Sequence, residues 1–544
     1  MKVDGALVAS LTLLAVALRL VPLTFSPLPY NIDGFPLARI ADDMAASGSW
    51  TIDEADPNSY NEKMPAFSLL WSGIVQLGGL DALVHIQAFL PFVTALTVLP
   101  GYLLGVKMTR HRGVGFAAGL FLAVFGSFLF LTSSVMKESI GLLVLPVAVL
   151  LFYERADPRK RALAFVLLLL LPFLHHLTTL MALGMVTALV VGQAMRDARR
   201  GRIAWRRVAL DILTGPAAAI PALAYYSVVR LSPLEEVTSP DDVALILALT
   251  VFLTAIGAGL PRMARVRLGR PLVSPVSHVL LVPALVFGGL LANAASSVFA
   301  GTVGTQEAFV ALVVPAGAIL SAFVFVGYQL LRRTSNRGND LVLAFLVAPA
   351  GLICYAFLRG LDPLSLALVY RSFDFMDFAL AVLAGVGLAF AWSRVRSVAL
   401  RAGLVATFLA ALLATTPMAW NGQAVFGVEN VTTPDEFGAL AVLASLGARN
   451  VTTDQRLADV AESWFGIPGD ASLPFKLRDG DDVRGPEYAV LLERWTTVGA
   501  QVHPAPNVVI ERDAFDRFVE RNQVVYALGP LGDRVFVVRL TAEP

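Results

Sequence analysis

Residues 162–195 read ALAFVLLLLLPFLHHLTTLMALGMVTALVVGQAM and contain no Asp, Glu, Lys or Arg. Arg161 and Arg196 border the stretch on either side. A helix that crosses the hydrocarbon core of a bilayer needs about 20 mainly apolar residues. These 34 residues therefore predict two short membrane helices joined by a turn, which places His175 and His176 near the membrane surface or slightly within it.

The rest of the chain has the same character. Of its 544 residues, 56% are hydrophobic and 15% are charged, whereas soluble proteins have about 25% charged residues. The composition thus predicts a polytopic membrane protein with about 13 transmembrane helices. We expect them near residues 5–25, 84–106, 114–131, 139–153, 162–174, 177–195, 208–230, 243–260, 276–300, 308–331, 340–358, 374–392 and 399–417.

The loops between these segments alternate in charge. Every second loop is basic, and the six basic loops hold 23 Lys and Arg residues. Basic loops stay in the cytoplasm. The pattern therefore predicts a multi-pass protein of the cell membrane with a cytoplasmic N-terminus and an extracytoplasmic C-terminus. The basic loops are residues 107–112, 154–161, 196–207, 262–270, 332–340 and 394–401.

The composition changes after Trp420. Residues 421–544 hold 18 acidic and 11 basic residues, and their apolar pattern alternates between helical and strand spacing. The predicted fold class is an all-α polytopic membrane domain, residues 1–420, with a small extracytoplasmic α/β C-terminal domain, residues 421–544. We expect helices at 434–446 and 513–521 and strands at 488–492, 508–510, 524–528 and 535–540.

Charge and cysteine content exclude some classes of function. A formal net charge of +1 lacks the basic excess that nucleic-acid binding needs. The single cysteine, Cys354, excludes an intrachain disulfide and a cysteine-based metal cluster.

The loop after the first span, residues 26–64, is long and carries seven acidic residues. Long loops in compact proteins are commonly functional. Apolar residues at helical spacing over 37–45 predict an amphipathic helix lying on the membrane, with Asp33 just before its start. Asp33 is either a functional acid of this loop or a helix-capping acid that the helix dipole favours.

The acid after the first span, the surface helix ending at Gly48 and the second outer helix starting at Met64-Pro65 resemble the GT-C superfamily of polyprenyl-phosphate-dependent glycosyltransferases. That superfamily includes dolichyl-phosphate-mannose protein mannosyltransferases and oligosaccharyltransferases. The resemblance implies transfer of a sugar from a polyprenyl (dolichyl) phosphate-linked donor to a protein or glycolipid acceptor on the extracytoplasmic face. It also implies that Asp33 acts as catalytic base or metal ligand.

The chain departs from the superfamily's motifs at two places. Gly34 follows Asp33 where mannosyltransferases of this type carry a second acid. The outer domain offers Trp464-Phe465-Gly466 in place of the W-W-D-Y-G acceptor-recognition motif of oligosaccharyltransferases. These departures argue against transfer of glycans to a defined asparagine sequon.

Sugar transfer from a lipid phosphate also needs cations that stabilise the departing phosphate. Arg371, Asp374 and Asp377 share one helix face; the alternative for them is an ion pair that seals helix packing. A packing role is likewise the alternative for the two histidines. The candidates for binding substrate or lipid phosphate are Lys137, Glu138, His175, His176, Arg371 and Asp374.

Two questions stay open at the level of sequence. The acids Asp33, Asp42 and Asp43 have the oxygen ligands that Mg or Mn prefers, but acids alone do not establish a metal site. A polytopic transporter, or a protein that handles lipid-linked glycans without chemistry, is the alternative to the enzyme. Transporters commonly show repeated halves with interrupted helices.

Overall fold

A computed structural model describes residues 5–201, 203–231, 240–263, 307–333, 338–360, 363–420, 430–502 and 505–540. The described residues up to 420 are mainly helical. The helices are α1 (Gly5–Arg19), α2 (Gly34–Ser47), α3 (Ser59–Glu62), α4 (Ala66–Gly78), α5 (Ala82–Thr94), α6 (Val98–Thr109), α7 (Arg112–Val124), α8 (Gly126–Ser133), α9 (Lys137–Tyr153), α10 (Pro158–Leu170), α11 (His176–Arg199), α12 (Trp205–Leu213), α13 (Ala219–Val229), α14 (Pro240–Met263), α15 (Glu307–Arg333), α16 (Asn339–Arg359), α17 (Pro363–Arg394), α18 (Val398–Thr415) and α19 (Pro417–Trp420).

The predicted multi-pass helical architecture is confirmed. Within the described residues, eight helical segments are long and apolar enough to cross a membrane, or nine if the bent pair α7–α8 is one span. The predicted spans near 139–153, 162–174 and 243–260 coincide with α9, α10 and α14, which are not among those eight. The segment near 276–300 lies outside the described residues. The count of thirteen therefore stays a prediction.

The predicted amphipathic helix of the first loop is α2, but its apolar side is buried inside the protein. Leu37, Ala38 and Ala41 are fully buried, and α2 packs against α4 and α5. The apolar residues of α2, which the sequence suggested would face the membrane, thus pack against α4 and α5 instead. This packing holds α2 in a fixed position.

The chain breaks sharply between α7 and α8, which meet at an angle of 63°. A break inside a helical span leaves the last carbonyl groups of α7 without helical partners. The buried guanidinium of Arg19 donates hydrogen bonds to Leu122 O (3.0 Å) and Ala123 O (3.5 Å). After the break, the Gly126 N–H donates to Thr415 Oγ1 at 3.0 Å. The break is therefore a stable part of the fold, and it directs the chain towards α9.

Residues 430–540 form a small α/β domain, which we call the module. Its main sheet has the order β2-β1-β3-β7-β6, parallel among β2, β1 and β3 and antiparallel from β3 to β6. Its elements are α20 (Pro434–Ser445), β1 (Val451–Thr452), α21 (Gln455–Phe465), β2 (Gly469–Asp470), α22 (Leu473–Asp479), β3 (Tyr488–Leu492), β4 (Ala500–Val502), β5 (Ala505–Val508), α23 (Arg512–Arg521), β6 (Gln523–Leu528) and β7 (Val535–Arg539).

The α/β character predicted for the C-terminal region is confirmed, although α21, α22, β4 and the two-residue strands β1 and β2 were not predicted. The strand expected at 508–510 lies earlier, as β5. Residues 421–429, where the predicted domain boundary falls, are outside the described residues, so the boundary stays a prediction. The face of the membrane domain that carries the module is called the module side below.

Membrane orientation is tested by cysteine labelling in a Cys354→Ser background. Because the basic loops are expected in the cytoplasm, single cysteines in residues 196–207 should resist an impermeant thiol reagent in intact cells. Cysteines placed in the module should react. Labelling with the opposite pattern would reverse the orientation and place the candidate site on the cytoplasmic face.

Candidate active site

A buried glutamine joins the two chain segments that carry the candidate acid and the candidate cation. Gln87 Oε1 accepts the backbone N–H of Tyr30 at 2.6 Å, and Gln87 Nε2 donates to Ser133 O at 3.1 Å. The backbone N–H of Val135 donates to Tyr30 O at 3.0 Å. The chain leading to Asp33 and the chain leading to α9 are thus fixed side by side.

Asp33 stands at the N-cap position of α2, but its side chain does not cap the helix. The preceding turn depends on Asn31, whose φ of 98° lies in the left-handed region. Its side-chain Oδ1 accepts the Asp33 N–H at 3.0 Å, and its own N–H donates to Asn430 O of the module at 3.0 Å. The carboxylate of Asp33 is left exposed, which does not support the capping interpretation.

The glycine after Asp33 is required by packing. A Cβ atom at Gly34 would lie 2.4 Å from Pro29 Cβ and 2.9 Å from Val135 Cβ. Contacts this short do not occur between real carbon atoms, so a side chain at this position would force the loop apart. This explains why no second acid follows Asp33.

Lys137, the first residue of α9, is a buried cation without a hydrogen-bond partner. The residue is 7% exposed, and among the residues that the structure describes its Nζ finds no acceptor. Nζ lies 4.7 Å from the centre of the Tyr60 ring, a cation–π contact. Its charge interacts with that of Asp33. A buried, unpaired ammonium is costly, which makes this position suited to an incoming anion.

Tyr60, in α3 of the first loop, was missed by sequence analysis because nothing in its spacing distinguishes it. Its hydroxyl lies 3.3 Å from His176 Nδ1. Burial first, and then the charge of Asp33, raises the pKa of Tyr60 above its ordinary value, so that the phenol keeps its proton. Tyr60 therefore connects Lys137 to His176 and can donate a hydrogen bond.

Arg371 pairs with an acid of a different helix from its own. Its Nη1 donates to Glu138 Oε2; Glu138 is 1% exposed, whereas 31% of the Arg371 side chain is exposed. Asp374 instead bonds to Ser127, and Asp377 Oδ2 has no partner within the described part of the chain. The charge of Arg371 also interacts with that of Asp33. The ion pair thus joins α17 to α9 beside Lys137.

The two adjacent histidines have different surroundings. His175 Nδ1 accepts the backbone N–H of Thr178 and so caps α11, with Thr178 Oγ1 at 2.8 Å. His176 instead faces Tyr60. His175 thus caps a helix, whereas His176 reaches Lys137 through Tyr60.

The module packs on the first loop. Phe437 stacks on Phe35 of α2 with ring centres 6.0 Å apart, and the Arg39 guanidinium lies 5.9 Å from the Trp464 ring. Asn58 Nδ2 donates to Ser463 O at 2.9 Å. Helix α21, which ends in Trp464 and Phe465, therefore lies directly against the helix that follows Asp33.

This packing brings a second acid, Asp459, towards the site. Gln455 Nε2 donates to its Oδ1 at 2.8 Å. Burial, and to a smaller extent the charge of Asp33, raises the pKa of Asp459 to about 7. The module thus contributes an acid whose charge interacts with that of Asp33.

Asp459→Asn is expected to change stability in a pH-dependent way. The folded state holds a proton that the unfolded chain releases near 3.8, so the free energy of unfolding of the wild type falls as pH rises from there to about 7. Asn stays neutral and keeps the bond to Gln455. The variant should therefore have a higher melting temperature than the wild type at about pH 8 and nearly the same one at about pH 4, close to the value of 3.8 for the unfolded carboxyl group. Equal melting temperatures at both pH values would contradict the raised pKa.

The described residues do not assemble a metal site. Asp42 and Asp43 are nine and ten positions beyond Asp33, about 13–15 Å along α2 at 1.5 Å per residue, and Asp43 pairs with Arg39 at 3.0 Å. No group of three or more His, Cys, Asp or Glu residues within the described ranges is placed to hold a metal ion. Within those ranges, the three acids that suit Mg or Mn are therefore not brought together.

No family profile and no curated protein matches the sequence. Among solved structures, the chain is similar to the crystal structure of the Archaeoglobus fulgidus oligosaccharyltransferase in complex with Zn and sulfate. The two share 14% identity over 97% of this chain and 72% of that one, with a TM-score of 0.51. At this identity the similarity establishes the fold alone: the chain folds like that oligosaccharyltransferase, a fold that the sequence resemblance predicted.

Two further solved structures are similar to the chain at TM-scores below 0.5. The mycobacterial arabinofuranosyltransferase AftD matches with 13% identity over 100% of this chain and 40% of that chain, at a TM-score of 0.43. ArnT from Cupriavidus metallidurans, bound to undecaprenyl phosphate, matches with 14% identity over 100% of both chains, at a TM-score of 0.37.

Proposed function

We propose that this multi-pass protein, with its GT-C fold, is a membrane glycosyltransferase. It transfers a sugar from a polyprenyl (dolichyl) phosphate-linked donor to a protein or glycolipid acceptor on the module side, which the basic loops indicate is extracytoplasmic. The donor enters from the bilayer, and the acceptor approaches beside the module.

The candidate residues have separate roles in this reaction. The bond between C1 of the sugar and the phosphate oxygen breaks, and a bond from C1 to the acceptor oxygen or nitrogen forms. The carboxylate of Asp33 takes the proton of the acceptor and passes it to solvent, to which Asp33 is exposed. The electron pair of the broken bond stays on the phosphate, where Lys137 and Arg371 stabilise the added negative charge.

The observation that carries this proposal is an exposed carboxylate, Asp33, whose charge interacts with that of a buried ammonium, Lys137. Asp33 makes no capping bond, and Lys137 Nζ has no hydrogen-bond partner in the described part of the protein. In a purely structural site Lys137 would be paired, because a buried unpaired charge is costly. A carboxylate open to the acceptor and an unpaired cation are instead what a general base and an anion site require.

One feature favours the transport alternative, namely the interrupted pair α7–α8, since transporters bind substrates at the ends of broken helices. The end of α7 is however occupied by Arg19, which donates to Leu122 O and Ala123 O. The helix end that a transporter would offer to its substrate is therefore already filled by the protein.

A labelled donor distinguishes the two functions. The purified protein in proteoliposomes is supplied with a polyprenyl-phosphate donor whose sugar is radiolabelled, together with a membrane extract as the source of acceptor. A glycosyltransferase moves the label from lipid to acceptor. Label that crosses the bilayer while still attached to the lipid would contradict the proposal and support transport.

A further inference from the structure

We infer that the hairpin tip of the module, residues 529–532 between β6 and β7, inserts into the headgroup layer of the bilayer. The tip reads Gly-Pro-Leu-Gly, and its Leu531 is 84% exposed. Leu528, just before the tip, is 43% exposed, and Pro530 is exposed as well. A single exposed leucine is ordinary on a soluble domain, whereas a group of apolar side chains at one place marks a contact surface. This inference is independent of the proposed reaction.

The tip is held in a fixed conformation. Gly529 and Gly532 have φ angles of 106° and 91°, in the left-handed region that glycine adopts without strain. The buried carboxylate of Glu493 accepts the backbone N–H of Gly532 at 2.9 Å. Leu531 is therefore presented outward by a rigid turn, and little conformational entropy is lost when it makes a contact.

The tip lies beside the N-terminal end of α20. A Cβ atom at Gly529 would be 3.6 Å from Asp435 Oδ2, and one at Gly438 would be 3.9 Å from Tyr526 Oη. Strand β6 therefore runs antiparallel to α20, and its last residues reach the start of the helix.

That end of α20 is fixed to the end of the first membrane segment. Ser26 Oγ donates to Thr432 O at 2.7 Å, and Thr432 is three residues before Asp435. The segment Gly5–Thr24, which is long and apolar enough to cross a membrane, ends two residues before Ser26. The hairpin tip thus lies at the end of the module that is nearest the bilayer.

Lipid is the surrounding medium at this edge of the protein. Leu13, in the middle of the first segment, is 70% exposed, and Phe25, at its end, is 47% exposed. Apolar side chains exposed on a membrane helix face hydrocarbon. The apolar residues of the tip and of the first segment are thus at the same edge of the molecule, and the bilayer is the occupant that covers both.

The charges around the tip are compatible with this contact. Asp533 pairs with Arg494 at 3.4 Å, and Arg534 pairs with Glu493 at 3.0 Å. Paired charges cost less than single ones near an apolar medium. Asp435 lies in the first turn of α20, where the helix dipole favours an acid. The contact is therefore apolar and should not depend on the charge of the lipid headgroups.

The tether of the module makes a small contact sufficient. One leucine would not hold a free soluble protein on a bilayer. The module, however, follows the last membrane helix in the chain and is docked on α2 through Phe437 and Phe35. This tether gives the tip a high effective concentration at the bilayer surface, so that a weak contact is populated.

The test uses the full-length Cys354→Ser protein in lipid nanodiscs, with one nitroxide label on Leu531→Cys. The accessibility of the label to oxygen, which concentrates in hydrocarbon, is compared with its accessibility to a water-soluble nickel chelate. The matched control is the same label on Leu446→Cys, because Leu446 follows the opposite end of α20 and is 49% exposed. If the tip reaches the boundary of headgroups and acyl chains, the oxygen-to-chelate ratio at residue 531 should be at least about threefold that at residue 446.

Equal ratios at the two positions would overturn the inference, whether both labels face water or both face lipid. Leu528→Cys repeats the comparison should a label at the tip disturb the turn, and a ratio there equal to that at residue 446 would overturn it as well. Spin–spin broadening that disappears on dilution with unlabelled protein would show that a second copy of the chain, and not lipid, covers the tip.

The lipid composition gives an independent arm. Because the contact is apolar, nanodiscs of zwitterionic lipid and of anionic lipid should give the same ratio at residue 531. A ratio that is raised only in anionic lipid would show recognition of headgroup charge and would overturn the apolar contact.

Discussion

Asp33→Asn is expected to lower sugar transfer by roughly 10²- to 10³-fold, the effect of removing one charge that acts in the transition state within a partly water-excluded site. Asn has nearly the same size as Asp. Because the Asp33 carboxylate makes no capping bond, its loss should hardly change the melting temperature. Initial rates with a polyprenyl-phosphate donor in proteoliposomes, together with thermal unfolding, measure both quantities.

Asp42→Asn is the control for this variant. Asp42 lies on the same helix, α2, and is also exposed, but it is about 13 Å farther along the helix axis. It should retain nearly full activity. An Asp33→Asn protein with wild-type turnover would show that Asp33 takes no part in the reaction. The labelled-donor experiment alone would then decide between enzyme and transporter.

Gly34→Ala is expected to have the second large effect. The added methyl group would lie 2.4 Å from Pro29 Cβ, and overpacking of this kind costs about 1–3 kcal/mol of folding free energy. The loop can relieve the contact only by moving, and a displacement of about 1 Å at a catalytic group can cost roughly 10²-fold in rate. We therefore expect both a lower melting temperature and a large loss of transfer.

Gly73→Ala in α4 is the matched control, because a Cβ there meets nothing within 4 Å. Alanine favours a helix over glycine by up to about 1 kcal/mol, so this variant should be as stable as the wild type or more so. Full stability and full turnover in Gly34→Ala would show that the segment around Pro29 can move without cost. The packing explanation for the missing second acid would then be wrong.

Apolar runs were sufficient to locate the eight described helical segments that are long and apolar enough to cross a membrane, because hydropathy depends on local composition. The orientation that the charge alternation indicates stays a prediction. The strand Tyr488–Leu492 and the helix beginning at Pro434 were also predicted from local composition. Strands β1 and β2 are only two residues long, too short to show alternation. They exist because β1 pairs with both β2 and β3, which is tertiary information.

The candidate site was only partly accessible from sequence. Asp33, Lys137 and Arg371 were recognisable because charged residues at membrane edges are rare and costly. Tyr60, Gln87 and Asp459 were not, since each acts through an interaction with a residue distant in sequence. Tyr60 contacts Lys137, Gln87 binds Tyr30, and the charge of Asp459 interacts with that of Asp33. No periodicity marks such residues, and only the folded chain brings their partners together.

The hydrogen bonds of Arg19 have a consequence for biosynthesis. Its acceptor Leu122 O is 103 residues farther along the chain, and at about 5–20 residues per second the ribosome needs roughly 5–20 s to make that length. During this interval the first helix has a guanidinium but not its α7 acceptors. It must keep that charge at the lipid headgroups, or stay beside the insertion machinery, until α7 arrives. Full insertion of the first helix thus depends on a later one, and truncation before Leu122 should leave α1 poorly anchored in the bilayer.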